Sequence, residues 1–321
     1  MPELPEVETV RRGLADRVVG RRITDVEVGR ERTVRRTSAQ QVIDGLRDAT
    51  MVTAERRGKY LLCPLDTGDT AMFHLRMSGQ LLLAADGAPR PAHTHVVMSL
   101  DGAPAEHLLF VDPRTFGEVV VFDPEHVGVE LPEVARLGVD PLADGLDPEV
   151  LRLLLDGRRT ALKPLLLDQH VIAGIGNIYA DEILHAARLH PARTARSLRP
   201  AELHRLHAAV HRILEAAVDA RGSSLGDNQY VDLMGAGGSY QHAHAVYGRA
   251  GQRCPTCHRG IIRRTVSAGR STHHCPWCQR AADIGGFRST GGFPAPRPVR
   301  KPSDALKTSD GASPHRSSKV R

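Results

Sequence analysis

Four of the five cysteines fall within 25 positions, as Cys254-Pro-Thr-Cys257 and, 17 residues later, Cys275-Pro-Trp-Cys278. Thiolates suit Zn²⁺, and a two-residue knuckle lets both of its sulfurs reach one ion, so this spacing predicts a Cys₄ zinc site. Four thiolates leave no open coordination position, so the single Zn²⁺ is structural rather than catalytic. A redox reading of each C-x-x-C lacks the βαβ context that such motifs need. The intervening IIRRTVSAGRSTHH reads as two strands around a Ser-Ala-Gly turn, which makes a ribbon carrying Arg263, Arg264 and Arg270. A hairpin with arginines at its turn can enter a DNA groove; in a ribbon used for protein contact the same arginines are merely solvated.

The second chemical feature is the opening Met1-Pro2-Glu3-Leu4-Pro5-Glu6. Methionine is readily removed before a small residue, which leaves Pro2 with a free secondary amine. An α-amino group has a pKa of about 8 and can attack an aldehyde-level carbon without a buried lysine. Glu3 beside it can act as an acid or base if burial raises its pKa. The bland alternative is an acidic terminus that leads into a helix. Lys59, in Gly58-Lys59-Tyr60-Leu61-Leu62, is either a functional cation or an edge-strand charge. Cys63 stands alone in an apolar stretch and reads as a small core residue.

These residues need a scaffold, and the chain patterns it in two halves. Pro5 and the spacing of Val7, Val10, Leu14 and Val18 predict a helix over 5–19. From residue 23 to 122, about eight short β-branched segments (ITDVEV, MVTAE, YLLCPL, TAMFHL, GQLLLA, THVVMSL, EHLLFV, EVVVF) predict a sandwich or barrel. Beyond Pro124 the apolar spacing turns helical to about residue 221. Residues 222–245 are polar and Gly-rich and read as a long loop. Residues 246–280 hold the cysteine module, and 281–321 read as a disordered basic tail. Charge follows the same division: 17 Lys+Arg against 25 Asp+Glu in 1–150, 18 against 9 in 151–280, and 8 against 3 in 281–321. A polyanion should therefore dock first on the second half. Aromatic residues are only 4%, which argues against a single-strand binder built on stacking platforms. No apolar run approaches the roughly 18 residues of a membrane helix, and the first ten residues lack the apolar core of a secretory signal, so a cytoplasmic protein without a membrane partner is expected.

Six motifs in order carry a family resemblance: PELPEVETVRRGL, Arg57–Leu62, His74-Leu-Arg-Met-Ser-Gly79, Asp112-Pro-Arg-Thr-Phe-Gly117, Ala173-Gly-Ile-Gly-Asn-Ile-Tyr-Ala180 and the Cys₄ ribbon. Over residues 2–280 the sequence resembles the bacterial formamidopyrimidine-DNA glycosylases of the Fpg/Nei superfamily. The resemblance implies an α+β fold: an N-terminal β-sandwich flanked by helices (1–125), a helix-two-turn-helix domain (130–221), a lesion-recognition loop (222–245) and a zinc-finger ribbon (246–280). It implies a base-excision-repair glycosylase and abasic-site lyase that removes 8-oxoguanine and formamidopyrimidines from double-stranded DNA, acting as a monomer on the nucleoid. Pro2 would form a Schiff base at C1′, Glu3 would protonate the sugar oxygen, Lys59 would donate a proton in β-elimination, and Arg270 would serve δ-elimination. His74, His93, Arg114, Arg159, Asn177 and Tyr247 would touch DNA. Met77, Arg114 and Phe116 would fill the space of the expelled base. Asn177 is also expected to cap the helix that begins at Ile178.

The loop departs from the family pattern at Asn228-Gln229-Tyr230 and His242-Ala-His244, which bears on lesion range. An endonuclease VIII-like glycosylase for oxidised pyrimidines is the nearest alternative; Leu4, Met77, Arg114 and Phe116 favour the first reading. A non-catalytic zinc-ribbon DNA-binding protein is the alternative from another class, and the presence of Pro2, Glu3, Lys59 and Arg270 speaks against it. The tail is read as an electrostatic tether to DNA.

Overall fold

Helix α1 (Leu4–Arg17) starts with Pro5 in its first turn and a reciprocal cap between Glu3 and Glu6. It belongs to two cores at once. Leu4 packs into the helical half, whereas Val7, Val10 and Leu14 pack into the sandwich. The helix ends two residues before the expected Val19; the amide of Val18 still closes on Leu14 as its C-cap. The computed structural model describes residues 1–226 and 230–281. The expected tail beyond Ala281, and Asn228 and Gln229 of the loop, lie outside the described residues.

Two antiparallel four-stranded sheets follow, with strand orders β1-β6-β7-β5 and β2-β3-β4-β8. Their strands are β1 (Ile23–Val28), β2 (Glu55–Arg57), β3 (Tyr60–Pro64), β4 (Thr70–His74), β5 (Gln80–Ala85), β6 (Thr94–Leu100), β7 (Glu106–Val111) and β8 (Glu118–Phe122). Alternate residues (Leu61, Phe73, Leu81, Phe110, Val119) share one buried cluster, as a sandwich core requires. The intervening positions Tyr60, Met72 and Val120 form a second cluster with Leu131 and Val134. Two short helices there, α3 (Val127–Glu130) and α4 (Pro132–Ala135), cover the back of that sheet, which is why β4 is buried on both faces.

Two expectations are corrected. The segment MVTAE supplies only Glu55 to β2; Met51 makes an isolated bridge to Leu65. A helix absent from the sequence reading, α2 (Ala39–Leu46), is opened by a Ser38–Gln41 capping box and buries Val42 and Leu46.

The second half contains α5 (Pro148–Leu155), α6 (Leu162–Leu167), α7 (Asn177–Ala186) and α8 (Pro200–Asp219) around one apolar cluster centred on Tyr179. A buried ion pair, Arg56–Asp140, joins the halves; the side chains are 3% and 0% exposed. The ribbon is a hairpin of β9 (Arg263–Ser267) and β10 (Arg270–His274). Its turn residues Ala268 and Gly269 both have positive φ (48° and 74°), the conformation of a two-residue hairpin loop.

The described part of 222–245 carries only a short 3₁₀ turn at Tyr240–Ala243, as expected of a loop, but it is firmly packed. Tyr230 and Leu233 enter the sandwich core, and the carbonyl of Leu233 accepts from the amide of Leu83 at 2.8 Å.

Candidate active site and nucleic-acid interface

Glu3 sits just outside α1 with its carboxylate at the N-terminus of α7. It accepts backbone N–H groups of Gly176 (2.8 Å), Ile178 (2.9 Å) and Tyr179 (3.3 Å). The Gly-Ile-Gly-Asn sequence is what permits this approach. Gly174 has φ +94° against Leu4, and a Cβ on Gly176 would overlap the Glu3 carboxyl. Asn177 is therefore not the cap: the helix begins at Asn177, Gly176 is the N-cap residue, and Glu3 supplies the capping oxygens from 173 residues away. An anion at a helix N-terminus is favourable, yet burial dominates here and pushes the Glu3 carboxyl up to about 7, against the opposing charge of Lys59. Pro2 is buried beside it, and Met1 is 44% exposed at the mouth.

Glu6, one turn on, is equally enclosed. Its carboxylate accepts from the amide of Glu3 (2.8 Å), the amide of Ser223 (2.7 Å) and the hydroxyl of Tyr179 (2.5 Å). Burial raises its pKa as well. It ties the N-terminal segment, α7 and the start of the 222–245 loop into one unit.

A cleft of about 560 Å³ opens over these groups, and Glu3, Lys59, His74, Met77, Asn177, Tyr247 and Arg270 all line it. The structure thus collects residues from the terminus, the β2–β3 turn, β4 and the turn after it, α7 and the ribbon. Lys59 donates to the carbonyl of Ile175 at 3.0 Å. Burial, helped by the positive charge of Arg270, lowers its pKa, while Glu3 opposes the shift. His74 lies edge-on to Tyr60, accepts the amide of Arg76 at Nδ1 (2.9 Å) and is held well below its ordinary pKa by burial, so it is a neutral ring. Asn177 donates to Ser271 Oγ at 3.3 Å, and its Oδ1 has no protein partner among the described residues. Tyr247 is fixed through its backbone, since Glu182 accepts the amides of Ala245, Val246 and Tyr247 at 2.8, 2.9 and 2.8 Å.

The strand carrying Arg270 is held from below. Lys163, 1% exposed, pairs with Asp181 (2.7 Å) and donates to the carbonyl of Ser271 (2.7 Å). Asp181 also accepts the amide of His273 at 2.8 Å. Arg114 and Phe116 lie on an exposed turn rather than in the cleft lining, with the guanidinium 5.0 Å from the ring centroid. His93 and Arg159 are exposed and do not line the cleft. Sequence reading missed Glu6, Asp112, Asp140, Lys163, Asp181 and Glu182. The only signal for Glu6 was its place three residues after Glu3, the spacing of a capping box.

The four cysteine sulfurs of 254, 257, 275 and 278 lie within 4.8 Å of one another. Cys254–Cys278 and Cys257–Cys275 are 3.8 and 3.7 Å apart. A tetrahedron with Zn–S bonds of about 2.3 Å has edges of about 3.8 Å, so the donor set fits that ion. Amides of Gly260 and Cys278 point at Cys257 and Cys275 sulfurs (3.4 and 3.5 Å), which favours thiolates. Cys63 is fully buried, and its thiol is pushed up to about 12 by burial, as an inert core residue.

Comparison with known proteins gives a consistent picture. The family model for the formamidopyrimidine-DNA glycosylase N-terminal domain matches residues 1–119, and that for the H2TH domain of the same family matches 137–229. The chain is 46% identical over 279 residues to the formamidopyrimidine-DNA glycosylase of Symbiobacterium thermophilum, covering 87% of this chain and 89% of that one. It is 41% identical to the Pelotomaculum thermopropionicum enzyme of the same name, covering 87% and 99%. Among solved structures, the complex of Lactococcus lactis Fpg with an abasic-site-containing DNA superposes with a TM-score of 0.78 at 36% identity, covering 87% of this chain and 99% of that chain. A MutM complex with DNA containing carbocyclic 8-oxo-G gives a TM-score of 0.78 at 36% identity, covering 87% and 100%.

Proposed function

Because the chain belongs to the formamidopyrimidine-DNA glycosylase family, we propose that it excises oxidised purines, 8-oxoguanine and formamidopyrimidines, from duplex DNA and then cuts the strand at the abasic site. The observation that carries this reading is the convergence of Glu3, Lys59 and Arg270 in one cleft around the buried N-terminus. After Met1 is removed, the amine of Pro2 bonds to C1′ of the damaged nucleotide and the glycosidic C–N bond breaks, releasing the base. Glu3 gives a proton to the sugar ring oxygen as its bond to C1′ opens, leaving an iminium. The iminium acidifies the neighbouring C–H, so proton loss there expels the 3′ phosphate. A second elimination expels the 5′ phosphate. Lys59 donates a proton in the first elimination, and Arg270 steadies the phosphate leaving in the second.

The burial of Glu3 supports its part, since a carboxyl at about 7 both holds and yields a proton at neutral pH. One Zn²⁺ held by Cys254, Cys257, Cys275 and Cys278 would be structural and would fix the hairpin that presents Arg270. Asn177, His74, Tyr247, His93, Arg114 and Arg159 are assigned to DNA contact, with Met77, Arg114 and Phe116 as the wedge that replaces the expelled base. The working division is a catalytic sandwich (1–125), a DNA-binding helical domain (130–221), a lesion loop (222–245), a ribbon (246–280) and a basic tail that tethers the enzyme to DNA. No helix among the described residues is long and apolar enough to cross a membrane. The enzyme is read as a nucleoid-associated monomer.

Borohydride trapping tests the reading, with duplexes carrying 8-oxoguanine opposite cytosine or a preformed abasic site. Adducts on both, lost in Pro2→Gly, are expected. An adduct on the abasic duplex alone would move the base specificity elsewhere, and no adduct on either would leave a non-catalytic DNA-binding protein.

A further inference from the structure

Two neighbouring turns break ordinary backbone rules. In Leu75–Gly79, Arg76 has φ +51°, and in Asp112–Gly117, Thr115 has φ +55°. Non-glycine residues in this region are strained, and such strain persists only where surrounding contacts over-determine it. Both turns present side chains that a stable fold would rather bury: Met77 lines the cleft, and Phe116 is 39% exposed with Arg114 stacked over it.

Both turns close on one side chain. Asp112 is 0% exposed. Its Oδ1 accepts the Ser78 hydroxyl at 2.6 Å, from the residue next to Met77. The same oxygen accepts the amide of Arg114 (3.1 Å), and Oδ2 accepts the amide of Gly117 (2.7 Å), so the carboxylate grips the second turn at both ends. The aspartate is itself held by its backbone. Its amide donates to the carbonyl of His93 (3.0 Å), and its carbonyl receives His95 Nε2 at 2.8 Å and the amide of Thr115 at 3.2 Å. Gly117 is required here, because a Cβ would meet the Phe110 ring and Asp112 Oδ2. The three carboxylate partners are neutral donors. A buried carboxylate is costly without full hydrogen bonding, and every bond this one makes serves the geometry of the two turns.

We infer that Asp112 is the positioning residue of the base-displacing wedge: through Ser78 and the 114–117 turn it sets Met77, Arg114 and Phe116 as one rigid unit, so that expelling a damaged base depends on it. The inference rests on the wedge reading given above. It also gives His93 a use apart from DNA contact, as the backbone acceptor that anchors the hub.

The test exploits the difference between two substrates. An 8-oxoguanine opposite cytosine must be unstacked and unpaired before excision, whereas a preformed abasic site has no base to expel. A variant that merely unfolds some of the enzyme lowers both reactions equally. Asp112→Asn turns an acceptor into an amide that faces backbone N–H groups; Ser78→Ala cuts only the link between the turns and keeps the second turn intact. Single-turnover excision and abasic-strand cleavage are measured for both variants and for Met77→Ala. 2-Aminopurine beside the lesion reports unstacking.

The expected result is a fall of about 10- to 100-fold in excision relative to abasic cleavage for Asp112→Asn, the scale of an ångström-level misplacement. A smaller fall in the same ratio is expected for Ser78→Ala, with slowed 2-aminopurine unstacking in both. If Met77→Ala shifts the ratio while Asp112→Asn and Ser78→Ala lower both reactions equally, the hub is refuted and the wedge survives. If Met77→Ala leaves the ratio unchanged, the wedge reading falls and the hub with it.

Discussion

Replacing Glu3 by Gln should reshape the pH profile of base excision rather than simply weaken it. The carboxyl is pushed up to about 7 by burial, and in the proposed mechanism it works in its protonated form when the sugar ring opens. In the same scheme Pro2 must work unprotonated. The two demands oppose each other, so the rate passes through a maximum and falls on both sides of it. Above the peak the rate should fall as Glu3 loses its proton, and below it as Pro2 gains one. In Glu3→Gln the alkaline limb disappears, leaving a lower rate that rises with pH to a plateau. Stability carries the same signature. The folded carboxyl holds its proton more tightly than the unfolded one, so this contribution is complete below the ordinary value of 4.5 and is lost as pH rises through about 7, amounting to about 3 kcal/mol. Single-turnover excision and borohydride trapping between pH 5 and 9.5, with thermal unfolding in parallel, read both effects. An alkaline limb that survives in Glu3→Gln would refute the assignment, as would a wild-type limb centred below pH 5.

Three further outcomes are expected. Zinc analysis should return about one ion per chain, and Cys275→Ser should lose both the ion and duplex affinity, because thiolate-bound zinc carries the folding energy of such modules; undiminished affinity in zinc-free protein would show that the ribbon is dispensable. Asp140→Asn removes one of the two carboxylates paired with the buried Arg56 and leaves Glu8 at 3.1 Å, so it should cost about 1–3 kcal/mol in denaturant unfolding; a cost below about 1 kcal/mol would mean that water reaches the pair. Deleting residues 282–321, which removes all eight Lys+Arg of 281–321, should reduce the slope of log affinity against log salt by about one for each phosphate the tail had neutralised; an unchanged slope rules out the tether.

Much of this architecture can be read from the chain because periodicity reports burial. The eight segments are short apolar or β-branched runs between turn residues, and the sandwich core takes alternate residues of the strands, such as Leu61, Phe73 and Val119. Cys254, Cys257, Cys275 and Cys278 come together because metal-ligand spacing is local. Periodicity fails where few residues carry the signal: α2 has only eight residues, and Tyr230 and Leu233 sit in one five-residue run, Tyr-Val-Asp-Leu-Met, inside a polar, Gly-rich stretch. The larger gap concerns acids. Glu6, Asp112, Asp140, Asp181 and Glu182 look like surface charges in a sequence, yet all are nearly inaccessible. Each also binds a group distant in sequence, such as Tyr179 for Glu6, Ser78 for Asp112 and Arg56 for Asp140, and nothing local encodes those. Asn177 illustrates the same limit: its residue type marks a helix start, but the oxygens that cap the helix come from Glu3.

That long-range cap has a consequence for biosynthesis. Translation delivers Pro2 and Glu3 first, but the amides that seat Glu3 belong to Gly176 and Ile178, and the Ser271 hydroxyl that meets Asn177 comes later still. A ribosome that has released only the sandwich has made a first turn with no seat for Glu3. The nascent chain therefore has no assembled DNA-cutting centre until α7 and the ribbon have emerged and docked. Premature termination products should be inert toward the genome for the same reason, since a truncated chain ends before the groups that organise its own first residues.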